Sequence, residues 1–179
     1  MGGKIRFNVA KFGAKVASQV SKFGFGSGNN LPGYVFYKIA GKEALKDLAH
    51  EMSIGPILIT GTNGKTTTTT LLIKLLSADT KIRKSFESNT IHAITTGILK
   101  GDGDLGVFEY GIRNKSYGIP DTVQRLIDPV GVVYTTISRE HSQVAGVKNP
   151  FEEYVDAKSL LSQGMTRGVV ISNADDPVT

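Results

Sequence analysis

From Ile5 to Phe23 apolar residues recur every three or four positions, at Ile5, Val9, Phe12, Val16, Val20 and Phe23, with Lys4, Lys11, Lys15 and Lys22 between them. That period predicts an amphipathic helix with a basic polar side. The glycine- and asparagine-rich stretch 24–30 breaks it as a loop, and Leu31-Pro32-Gly33 reads as a turn. Tyr34–Ile39 is then a strand candidate and Glu43–His50 a short helix. From Ile57 onward short apolar runs alternate with helical ones. Strands are expected at Ile57–Ile59, Lys81–Phe86, Leu105–Tyr110, Val130–Thr136 and Val169–Ser172. Helices are expected at Thr67–Leu76, with Leu71, Leu72, Leu75 and Leu76 on one side, and at Ile91–Leu99, Thr122–Ile127 and Phe151–Gln163. This alternation predicts an α/β fold, a mostly parallel, doubly wound sheet with right-handed crossovers. Residues 1–54 form a short N-terminal segment and residues 55–179 the sheet domain.

The chain has 179 residues, 40% of them hydrophobic, enough for one α/β domain with a small appendage. No apolar run approaches a membrane span, and the N-terminus lacks the apolar block of a signal peptide. Without cysteine, the chain offers no disulfide, thiolate metal site or cysteine nucleophile. A cytoplasmic location is expected. The net charge of +5 is uneven, because residues 1–50 hold eight Lys and Arg against Glu43 and Asp47. The basic helix therefore either meets an anionic membrane or lipid-linked substrate, or packs on the domain with its lysines solvated. Nucleic acid is not an expected partner, since no aromatic-basic motif accompanies the lysines.

The most specific chemistry lies at Ile57-Leu-Ile-Thr-Gly-Thr-Asn-Gly-Lys-Thr66, a buried strand, a glycine-rich turn and the start of a helix. Such a turn, a P-loop, aims backbone N–H groups at an anion. Gly61, Thr62, Asn63, Gly64, Lys65, Thr66 and Thr67 would bind nucleotide, with Lys65 on the outer phosphates and Thr66 on Mg²⁺. Ile59 stands where the general phosphate-loop pattern has a glycine. Ser88, Asn89 and Thr90 follow a strand's carboxyl end, where they either touch substrate or cap the next helix. Glu109 ends an apolar strand, a costly place for a carboxylate unless it is paired, and Mg²⁺ is a suitable partner. Glu140-His141 stands in the loop after a later strand, and Lys158 lies in a helix. His50 and His92 read as structural, and no serine has a Ser/His/Asp arrangement.

Thr-Gly-Thr-Asn-Gly-Lys-Thr-Thr67 resembles the phosphate loop of the Mur ligase superfamily, in which an apolar residue occupies the position of Ile59. The resemblance extends over about residues 55–177. Phe108-Glu109-Tyr110-Gly111 resembles the segment whose glutamate helps hold Mg²⁺, and Thr135-Thr-Ile-Ser-Arg-Glu-His141 the motif whose histidine binds a second Mg²⁺. Glu152-Glu-Tyr-Val-Asp-Ala-Lys158 resembles the helix whose lysine is carbamylated in many members, and Asn173-Ala-Asp-Asp176-Pro177 the loop after the next strand. Thr136 and Glu140 depart from the family's usual asparagine and aspartate. Leu31-Pro-Gly33 after a basic helix is similar to two branches: the ligase subunit of lipid II isoglutaminyl synthase, which works with a glutaminase, and archaeal pseudomurein peptide ligases.

The resemblance implies ATP-dependent, ADP-forming amide synthesis through an acyl phosphate. Lys65, Glu109, His141 and Lys158 would be the catalytic set, and Thr66, Glu109, His141 and Lys158 the surroundings of Mg²⁺. It implies a carboxylate-bearing cell-wall precursor or peptide as one substrate and an amino acid or ammonia as the other. Because family members continue beyond the Asp-Asp loop, the chain reads as a fragment, inactive alone. The alternative is a nucleotide-binding scaffold that makes no amide.

Overall fold

The computed structural model describes residues 2–22, 28–140, 142 and 148–179. Its sheet is built from β1 (Gly55–Thr60), β2 (Ile82–Ser88), β3 (Leu105–Tyr110), β4 (Gly131–Tyr134) and β5 (Val169–Ile171). All neighbours pair in parallel, in the order β2-β3-β1-β4-β5. The crossovers are α4 (Lys65–Leu76), α5 (Ile91–Lys100), α6 (Lys115–Gly118) with α7 (Pro120–Ile127), and α8 (Pro150–Gln163). The expected strand–helix alternation and parallel sheet are thus present. Alternate residues of each strand serve opposite faces. Leu58, Phe108, Tyr110, Val132 and Tyr134 join the larger core with α5, α7 and α8, whereas Ile59, Leu105 and Val107 pack with Ile73 of α4. The central strands β1, β3 and β4 are covered on both faces, which explains why they read as apolar runs, whereas β5 is exposed along its length.

Three helices precede the sheet: α1 (Gly2–Lys22), α2 (Leu31–Ala40) and α3 (Ala44–Ala49). Tyr34–Ile39, expected as a strand, is instead the body of α2. Pro32 occupies the first helical turn, where its missing N–H costs nothing, and Gly41 at φ 87° ends the helix with its N–H on Tyr37 O at 2.9 Å. A short apolar run carries no period of its own, so propensity at its ends decided the outcome. Leu31-Pro32-Gly33 is correspondingly the start of a helix, not a turn. The helix expected at Ile5–Phe23 is present as α1, but Phe23 lies outside the described residues. Its packing face differs from the apolar stripe. Ala10, Ala14 and Ala17 are buried, while Ile5, Val9, Phe12, Val16 and Val20 are 42–70% exposed. On α4 the inward side is Thr69, Leu72, Ile73 and Leu76, and Leu71 and Leu75 face out. Of the four leucines expected along one side of this helix, Leu72 and Leu76 pack inward and Leu71 and Leu75 are exposed.

Helix α2 crosses α5 at a contact that only glycine permits. The Gly33 amide donates to Thr96 Oγ1 at 2.9 Å, and a Cβ there would stand 2.0 Å from the His92 carbonyl oxygen. His92 itself lies edge-on to Tyr34 and Tyr37, with ring centroids 5.4 and 5.0 Å away. Burial, assisted by Lys38, holds its pKa below the usual histidine range, in keeping with a structural ring. Gly33→Ala is expected to destabilise the fold by about 2–3 kcal/mol, since overpacking outweighs the roughly 1 kcal/mol gain in helix propensity. Urea unfolding followed by circular dichroism measures it. An unchanged or raised stability would mean that the α2–α5 crossing is looser than described.

Candidate phosphate-binding site

The turn after β1 is fixed by its neighbours. Gly61 has φ 147°, and a Cβ on it would lie 2.0 Å from Thr135 Oγ1; Gly64, at φ 83°, is the N-cap of α4. Thr62 N donates to Thr136 O at 2.5 Å, and Thr135 Oγ1 donates to Asn63 O at 2.6 Å. The Thr62 hydroxyl accepts from Ser138 N at 2.9 Å and pairs with Tyr154 OH at 3.0 Å. Residues after β4 and one tyrosine of α8 therefore hold the turn open at the start of α4. The first amides of that helix have no intrahelical partner and carry its positive dipole end, the physical basis of an anion site.

Beside the turn is a cavity of about 250 Å³. Lys65, Glu109 and Lys158 reach it from three separate elements. Parallel pairing sets Glu109 opposite Ile59, at the carboxyl end of the sheet. Thr66 Oγ1 donates to Glu109 Oε2 at 2.9 Å, and the glutamate is 4% exposed. Lys65 Nζ donates to Thr62 O at 2.7 Å. Burial draws its pKa down, opposed by the charge of Glu109. Lys158 is fully buried; its Nζ donates to Ile112 O at 2.9 Å and Gly61 O at 3.2 Å and lies 4.2 Å from the Tyr154 ring centroid. Burial, then the charge of Lys65, bring its pKa down to about 7. The paired hydroxyl and carboxylate of Thr66 and Glu109 are hard oxygen donors beside the glycine turn, which is the donor chemistry Mg²⁺ requires. Among the described residues no three His, Cys, Asp or Glu form a metal-holding group.

The remaining candidates separate. Asn63, Gly64, Thr66 and Thr67 lie along the turn and the first turn of α4, as the sequence places them. Asn63 Nδ2 donates to Glu140 Oε2 at 2.9 Å. Asn89 lines the cavity. Ser88 is buried, its hydroxyl donating to Ser85 Oγ at 2.7 Å and its carbonyl accepting from Gly111 N at 2.7 Å. Thr90 caps α5, accepting from Ala93 N at 3.2 Å. His141 lies outside the described residues. The sequence reading gave no site role to four side chains of the cavity, Glu87, Ile112, Arg113 and Tyr154. Tyr154 stands four residues before Lys158 on α8, a spacing that puts the two on one helix face and could have been read. Glu87, with φ 52°, owes its position to backbone geometry at the strand end and gave no signal.

Asp176 ties the loop after β5 to the loop after β4, its Oδ2 accepting from Ile137 N at 2.6 Å. Between these loops and the phosphate turn lies a second, more open hollow of about 500 Å³, lined by Asn63, Thr68, Thr136, Ile171 and Asn173. It carries amides and hydroxyls but no charged side chain.

The family model of the Mur ligase middle domain matches residues 59–179. Two relatives are UDP-N-acetylmuramoyl-tripeptide--D-alanyl-D-alanine ligases. That of Bacillus subtilis (strain 168) is 29% identical over 143 residues, covering 75% of this chain and 30% of the relative. That of Borreliella burgdorferi is 36% identical over 100 residues, covering 54% of this chain and 21% of the relative. The chain thus spans about a third or less of these relatives' length. Among solved structures, the MurF ligase of Thermotoga maritima in complex with ADP superposes with a TM-score of 0.61 at 20% identity, over 76% of this chain and 33% of that one. MurF from Acinetobacter baumannii gives 0.62 at 22% identity, over 78% and 32%. At such identities the two structures speak for the fold, while the match to the middle-domain model covers most of the chain; by that match, the chain belongs to the Mur ligase family.

Proposed function

We propose that this chain is the ATP-binding part of a ligase that joins a carboxylate to an amine through an acyl phosphate, in cell-wall peptide or precursor synthesis. The observation that carries the proposal is the convergence of Lys65, the Thr66–Glu109 pair and Lys158 on one cavity beside the phosphate turn. The names of its relatives, ligases of a muramoyl peptide and a D-alanyl dipeptide, and the ADP complex of one MurF structure support it. The turn from Gly61 to Thr67 cradles the phosphates, and Lys65 neutralises charge on the group being transferred. Thr66 and Glu109 would hold Mg²⁺, with His141 proposed near a second ion; the metal supplies charge stabilisation to the phosphoryl group. The uncharged hollow at Asn63, Thr68 and Asn173 suits the nucleoside end of ATP, and Asn89 and Arg113 stand where a carboxylate substrate would enter. Lys158, in the neutral form that a pKa of about 7 makes available, is able to attack CO₂: its nitrogen bonds the carbon, a C=O electron pair moves to oxygen, and the nitrogen's proton passes to solvent water to leave a carbamate.

The test is the Mg²⁺ dependence of nucleotide binding. Glu109→Gln keeps the shape and the bond from Thr66 but removes the charge. Titration calorimetry with ATP is expected to show at least a tenfold loss of affinity with Mg²⁺ present and little change in EDTA, as the loss of one charged ligand implies. The same Mg²⁺ gain in both proteins would remove Glu109 from the metal site. Where turnover is measured, ADP release should require both carboxylate and amine.

A further inference from the structure

We propose that the exposed face of α1 is a docking surface for an anionic lipid bilayer. Five apolar side chains, Ile5, Val9, Phe12, Val16 and Val20, form a continuous stripe along this 21-residue helix and are 42–70% exposed. At 3.6 residues per turn the stripe lies roughly 130° round the helix from the Ala10–Ala14–Ala17 seam that packs on α2. The helix is therefore anchored to the protein by small residues on one side and presents its large apolar residues on another. The third side is basic. Lys4, Lys11, Lys15 and Lys22 project roughly 120° from the stripe, the offset at which lysine stems reach back along an apolar surface toward headgroups. No Asp or Glu occurs in residues 2–22. Lys11 is paired with Glu51 at 2.7 Å, whereas among the described residues Lys4, Lys15 and Lys22 have no ion pair.

A groove of about 800 Å³ runs along the basic side, with Lys11, Lys15, Lys22 and Lys100 on its walls and Phe12 at its rim. Lys15, Lys22 and Lys100, cations without an ion pair among the described residues, stand around a hollow beside an apolar strip and match the two halves of an anionic lipid: headgroup phosphates against the lysines and acyl chains against the stripe. Charge decides between occupants. A second copy of α1 would bring five cations against five, an arrangement that Coulomb repulsion opposes, while an anionic leaflet neutralises them. The length and composition also suit a helix lying in the interface, not one crossing it, as no helix of the described residues is long and apolar enough to span a membrane. The inference does not rest on the ligase reading, since α1 contributes nothing to the phosphate cavity.

Sedimentation of the 179-residue chain with phosphatidylcholine vesicles, alone or with about a quarter phosphatidylglycerol, tests it. At about 0.1 M salt the chain is expected to partition at least tenfold more strongly onto the anionic vesicles, and less as salt rises. Phe12→Ser with Val16→Ser should reduce binding at least tenfold while leaving the thermal midpoint in place, because both residues are exposed. Lys4→Gln, Lys15→Gln and Lys22→Gln together should reduce it about a hundredfold, at roughly fivefold per lysine near the surface. Equal recovery with neutral and anionic vesicles, or undiminished binding in either variant, would overturn the proposal. Light scattering that showed a dimer, broken by the Phe12/Val16 pair of changes, would instead assign the stripe to a second copy. ATP affinity is expected to be the same in all these variants.

Discussion

Lys65→Ala is expected to weaken Mg²⁺-ATP binding by about 30- to 150-fold, the effect of losing about 2–3 kcal/mol of charge-assisted contact with phosphate. Stability should scarcely change. The lysine makes one side-chain hydrogen bond, to Thr62 O within its own turn, and its pKa is held down by burial, so its removal also relieves a partly desolvated charge. The turn keeps its form without it, through the Thr62–Thr136, Asn63–Thr135 and Thr62–Tyr154 hydrogen bonds. Calorimetry, with circular dichroism melting as the control, measures both halves. Equal ATP affinity in the two proteins would sink the nucleotide assignment, and a collapsed fold would show that Lys65 holds the turn together.

The central strands of the sheet were legible in the sequence because both their faces are covered. Burial on two sides forces strands such as Leu105–Tyr110 to be apolar up to the one paired carboxylate, Glu109, and that pattern survives any detail of packing. The phosphate turn was legible for a different reason. Its geometry demands residues without substitutes: glycine at Gly61, where a Cβ would strike Thr135, and at Gly64, which caps α4 in the left-handed region. What the pattern misjudged were contacts made by small residues. Helix α1 packs through alanines, which approach closely but weigh little in a hydrophobicity pattern, so the stripe of large apolar residues does not mark its packing face. Gly33 acts in the same way at the α2–α5 crossing, where it reads as a turn residue but serves as a point of close approach. Arg113 was missed because nothing local distinguishes it from an ordinary loop residue, and Tyr154 because its one signal, the spacing of four from Lys158, counts only once Lys158 is placed at the cavity. Lys158 was found through resemblance alone; that it is fully buried on two backbone carbonyls is a fact of packing.

That burial gives Lys158 a signature that can be measured in this chain without substrate. In the unfolded state its amine has the ordinary value of 10.5, and in the fold about 7. Between those two values the unfolded chain holds a proton that the folded chain lacks, so stability rises with pH across this window, by up to about 1.4 kcal/mol per pH unit. Below pH 7 both states are protonated and the cost of burying the charge is present in full; above 10.5 both are neutral and it is gone. Lys158→Met keeps the length of the side chain and removes the titration. Between pH 7.5 and 9.5 the unfolding free energy of the parent chain is therefore expected to rise by about 2–3 kcal/mol relative to Lys158→Met, measured by urea denaturation. Labelled bicarbonate adds a second reading, since a carbamate carbon resonance should appear in the parent chain and be absent from the variant. Where turnover is measured, Lys158→Ala should abolish it and regain part of it with a short carboxylic acid, because the acid restores the negative charge a carbamate would provide. Lys148→Ala, outside the cavity, should do little. Parallel pH slopes for parent and Lys158→Met would show that the amine keeps its charge in the fold; with near-normal turnover of Lys158→Ala, they would end the proposed role of this residue and leave the phosphate turn untouched.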